Sequence, residues 1–127
     1  SISTDLHNRS IDSPVWDMGT TMSKLLAVGM PFEKVIEAST LAPMSVIGMP
    51  TQGLLAPGAR AEFTVFSRDA ADLSIRDSMG HEAVIREMLT PRWTVMGPLL
   101  VKASAYRPHE TTAGPNGCPH CGWAPDR

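Results

Sequence analysis

Apolar residues recur at helical spacing from Val15 onward, and Val15, Met18, Met22, Leu25 and Leu26 fall on one face. Ser13-Pro14 supplies an N-cap type residue followed by proline at the first helical position, and Gly29 stands where a left-handed C-cap belongs. The spacing predicts a second helix from Pro31, with Phe32, Val35 and Ile36 inward and Glu33, Lys34 and Glu37 as a solvated face. A third, shorter helix is expected over Pro43–Ile47, stopped by Gly48. From Gly53 the period changes to two. Ala61, Phe63 and Val65 alternate with Glu62 and Thr64; Leu73 and Ile75 with Ser74 and Arg76; Trp93 and Val95 with Arg92 and Thr94. Gly97-Pro98 then turns the chain toward Leu99–Val101, so this zone reads as a small antiparallel sheet of half-buried strands. Ser1–Thr4 is compatible with a strand, Asp5–Asp12 is polar loop, and from about Arg107 the aperiodic Pro, Gly, Thr and His content reads as a flexible tail.

A strand end, then helices, then antiparallel strands is an incomplete inventory. The helices carry a wide apolar face with only a strand stub to cover it, and each such face needs a partner layer. That partner is expected upstream of Ser1, where the chain opens without an initiator Met or a signal-like region. The apolar share of 43% is ordinary, and no window approaches the roughly 20 apolar residues of a membrane span. The 11 Lys and Arg are scattered against 13 Asp and Glu, which argues against a nucleic-acid footprint; no helix has a basic face for a membrane surface. The only cysteines, Cys118 and Cys121, lie in the tail, so the body has no disulfide framework and a reducing, cytoplasmic setting is expected.

Candidate chemistry centres on Ser3-Thr4-Asp5-Leu6-His7. A carboxylate at a strand end before a polar loop is where barrel enzymes place catalytic groups. There Asp5 can ligate a divalent metal and take a proton from the attacking water. The plainer reading is a turn or cap residue, which Asp commonly is in this context. His7 falls on the same side as Asp5 if the strand continues, placed to hold a substrate carboxylate or carbonyl. Cys118-Pro119-His120-Cys121-Gly122 has the spacing of half a zinc ribbon. A structural zinc takes four ligands, so His109, His120 or another subunit would have to complete it; reduced thiols in a flexible tail is the competing reading. A redox role lacks the surrounding βαβ pattern. His81, after Gly80, reads as an exposed turn residue, Trp16 and Trp93 as core or interface anchors, and Met18, Met22, Met30, Met44 and Met49 as adaptable core packing.

Ser3-Thr4-Asp5-Leu6-His7, followed by Asp12-Ser13-Pro14-Val15-Trp16-Asp17-Met18-Gly19-Thr20-Thr21-Met22-Ser23-Lys24, resembles the end of the amidohydrolase/deacetylase family of metallohydrolases. Gly53-Leu54-Leu55-Ala56-Pro57-Gly58-Ala59-Arg60-Ala61-Glu62-Phe63-Thr64-Val65-Phe66 is similar to the segment that returns the chain from barrel to β-sandwich across the amidohydrolase superfamily, and the likeness extends to about Ala103. It implies an α/β fold: the last segment of a (β/α)8 barrel over residues 1–52, antiparallel strands of a small composite β-sandwich over 53–106, and a Cys-containing tail over 107–127. It implies one or two divalent metals, usually zinc, with Asp5 as metal ligand and general base and acid, and His7 and Asn8 as substrate contacts. It also implies hydrolysis of amide or ester bonds in small acylated acids or amino acids. Gly19 stands where the family more often has Pro, Ala42-Pro43-Met44 replaces the usual Asn-Pro-Ala, and Glu62 replaces the common Asp. The family's histidine ligands and bridging lysine or carboxylate are absent, so the 127-residue chain alone is expected to be inactive. A dihydroorotase or hydantoinase-type cyclic amidase would share the Asp and differ in the pocket. A homo-oligomer is compatible with these features. From another class comes a non-catalytic assembly module built on the cysteine knuckle. That module would show one zinc per dimer by metal analysis, lost in Cys118→Ser or Cys121→Ser, whereas zinc-free protein removes it.

Overall fold

A computed structural model of the chain describes residues 1–5, 16–50, 53–76 and 79–103. The elements run α1 (Met18–Ala27), α2 (Phe32–Ser39), α3 (Leu41–Val46), β1 (Glu62–Arg76), β2 (Glu82–Met96) and β3 (Leu99–Lys102). Helix α1 starts later than the Ser13-Pro14 signal, which lies outside the described residues. Asp17 is extended (φ −153°, ψ 176°) and its carboxylate accepts the Thr20 N–H at 2.7 Å, so Asp17 is the N-cap. Asp satisfies an orphan helix donor as well as Ser does, and the chain uses the later of two competent caps. The C-terminus forms as expected. Gly29 takes φ 93°, its N–H donates to the Leu26 carbonyl and Met30 N–H to the Leu25 carbonyl, both at 2.9 Å. That paired closure is the Schellman arrangement, which a left-handed glycine makes accessible.

Helix α2 buries Val35 completely and keeps Glu33, Lys34 and Glu37 exposed. Helix α3 begins at Leu41, two residues before the predicted Pro43. Pro43 falls in the first turn, where a missing N–H breaks no intrahelical bond. Ser1–Thr4 is not a strand within the described chain, a correction to the sequence reading. Its bonding goes to a helix instead: Ile2 N–H donates to the Ala38 carbonyl at 2.8 Å.

The sheet has the order β1-β2-β3, antiparallel throughout. The short strand pieces read from alternation are parts of two 15-residue strands. Two bulges conceal this. Val65 pairs with Trp93 and Phe66 with Pro91, so β2 holds Arg92 as an extra residue; Ala70 pairs with Glu87 and Leu73 with Ile85, so β1 carries one extra between them. Each bulge inverts the face on which alternate residues fall. Phe66 and Leu89 therefore lie on the helix side, with Leu73 and Ile85, while Phe63, Val65, Trp93 and Val95 share the opposite face. Pro91 sits beside the extra residue, where a central strand tolerates a missing donor.

The core joins helices to sheet. Met22, Val35 and Leu89 are buried, with Ile2, Met18, Leu25, Leu26, Met30, Phe32, Ile36 and Phe66 packed around them. Met18, Met22 and Met30 are thus core packing as expected, whereas Met49 is 47% exposed. Helix α1 approaches β2 so closely that a Cβ on Gly19 would stand 2.4 Å from the Leu89 carbonyl oxygen. One turn on, the buried Ser23 hydroxyl donates to the Gly19 carbonyl at 2.7 Å and accepts the Leu89 N–H at 2.8 Å. Arg68 of β1 reaches α2 as well, its guanidinium 4.9 Å from the Phe32 ring centroid while it forks onto Glu87. Among the described residues no helix is long and apolar enough to cross a membrane.

Two substitutions test the α1–β2 contact in urea unfolding. Ser23→Ala leaves the buried Leu89 N–H unbonded and lowers stability by about 1–3 kcal/mol. Gly19→Ala gains about 1 kcal/mol of helix propensity. It loses about 1–3 kcal/mol to overpacking, for a net destabilisation. Wild-type midpoints in both variants would show that this contact does not hold the two layers together.

Candidate functional site

The N-terminal segment 1–5 is held from one end. Ile2 places its side chain against the Met22, Val35 and Leu89 core and its amide on the last turn of α2. Three residues later the chain bends sharply. Asp5 has φ 47°, the left-handed region, and among the described residues no other non-glycine does so. Its N–H donates to the Ser3 hydroxyl at 3.3 Å, a side-chain turn spanning two residues. Asp tolerates this backbone better than most residues, and such conformations concentrate at functional sites. Asp5 is exposed to solvent.

His7, Asn8, His109, Cys118, His120 and Cys121 lie outside the described residues. His81 is exposed beside the β1–β2 turn, as expected. Trp16 is half-buried, and Trp93 is 42% exposed on the sheet face that turns away from the helices. Among the described residues no group of three or more His, Cys, Asp or Glu side chains gathers to hold a metal. Asp5 alone supplies one carboxylate, and a catalytic zinc takes three protein ligands with an open position. By themselves, then, the described residues do not fit a metal.

Sequence reasoning missed two polar arrangements. Arg92, the extra residue of β2, donates to the Ser67 hydroxyl at 2.7 Å and to the Asp69 carboxylate at 2.9 Å, while Ser67 also donates to Asp69 at 2.9 Å. These bonds tie the bulge to β1 and are structural. The Ser3 hydroxyl's bond to the Asp5 N–H was missed too, although the plainer sequence reading of Asp5 as a turn residue agrees with its backbone. Its signal is the Ser-x-Asp spacing, which reads as part of a strand until the backbone of Asp5 is seen.

No family model matches the chain. Individual relatives do. A deacetylase of Brucella anthropi is 50% identical over 108 residues, 85% of this chain and 27% of that protein. A deacetylase of Agrobacterium fabrum is also 50% identical over 108 residues, 26% of its length, and a deacetylase of Enterococcus faecalis is 37% identical over 98 residues. A dihydroorotase crystal structure superposes with a TM-score of 0.75 at 50% identity, covering 84% of this chain and 28% of that one. The chain belongs to the amidohydrolase superfamily. An adenine deaminase crystal structure of the same superfamily matches with a TM-score of 0.73 at 34% identity over 81% of this chain. This amidohydrolase chain spans about a quarter of the length of the relatives it matches.

Proposed function

We propose that this chain is part of a hydrolase that cleaves carbon–nitrogen or ester bonds of small acylated substrates, in the manner of a deacetylase. The observation that carries the proposal is the 50% identity to two deacetylases across 85% of the chain. Within that parent protein residues 1–52 close a (β/α)8 barrel, residues 53–106 form strands of a composite β-sandwich, and 107–127 are a tail. Two features support the division. The segment 1–5 ends in a bent carboxylate-bearing turn, and the sheet face of Phe63, Val65, Trp93 and Val95 is left for a further layer.

Asp5 is the chemical contribution of this chain. It takes a proton from the attacking water as the new oxygen–carbon bond forms, then delivers that proton to the leaving nitrogen or oxygen as the old bond breaks. His7 and Asn8 of the following loop contact the acylated substrate. A divalent metal, zinc by preference, is the expected cofactor of the parent protein, with its remaining ligands supplied from outside this chain. The dihydroorotase crystal structure, at the same 50% identity, favours cyclic amides as a second substrate class. Parallel assays with acyl amino acids and cyclic ureides separate the two.

In the full-length protein Asp5→Asn lowers kcat by roughly 10²–10⁴-fold, the range for loss of a positioned proton carrier, with the circular dichroism spectrum unchanged. A near-normal rate in that variant removes Asp5 from the mechanism.

A further inference from the structure

We draw no further inference here: the strongest candidate, the sheet face of Phe63, Val65, Trp93 and Val95 that turns away from the helices, carries nothing because nothing in the structure shows what covers it.

Discussion

The Ser23 hydroxyl serves two backbones at once, closing onto the Gly19 carbonyl of its own helix while accepting the Leu89 N–H of β2. This contact sets the distance between the helical layer and the sheet. It demands glycine at position 19, because the Leu89 carbonyl occupies the space a methyl group would take. It also fixes Leu89, which with Met22 and Val35 forms the buried centre. Ile2 packs on that same centre, and Asp5 follows three residues later. The segment that carries the one carboxylate assigned a chemical role is thus anchored on the same core as the buried Ser23 of α1. Apolar burial supplies most of the free energy here, but it is non-directional; the hydroxyl bridge gives the packing a defined geometry.

The helices were legible in the sequence because their signals are local. The apolar face of α1, the left-handed glycine at its end, and the inward Phe32, Val35 and Ile36 of α2 all depend on residues within a few positions of each other. The start of α1 was not, since two cap-competent residues compete four positions apart and only tertiary context chooses between them. The long strands were legible only in pieces. Phe63 and Val65 share a parity with Leu73 and Ile75 yet lie on opposite faces, and no rule of strict alternation joins segments whose phase is reset by an extra residue.

The site was legible as a residue and not as a geometry. Asp5 stands out because a carboxylate follows a β-compatible run, but nothing in Ser3-Thr4-Asp5 announces a left-handed backbone. Ser1–Thr4 reads as a strand because its residues suit one, while a strand is defined by a neighbour, and within these residues the neighbour is α2. Gly19, a departure from the proline common at that position, bears on helix geometry: it stands where the Leu89 carbonyl comes closest to α1.

The extra residue at Arg92 has a consequence for how this chain can vary over evolution. On its helix side β2 presents Ile85 and Leu89; past Arg92 it presents Trp93 and Val95 to the other side. One strand thereby serves two layers, handing its apolar surface across the sheet at a single counted position. The Arg92 side chain can be exchanged with modest effect, since its bonds to Ser67 and Asp69 are exposed. Loss or gain of one residue cannot be absorbed in the same way, because it would rotate everything downstream by half a turn and direct Trp93 and Val95 into the helices. At Arg92, length is the protected quantity and composition the free one.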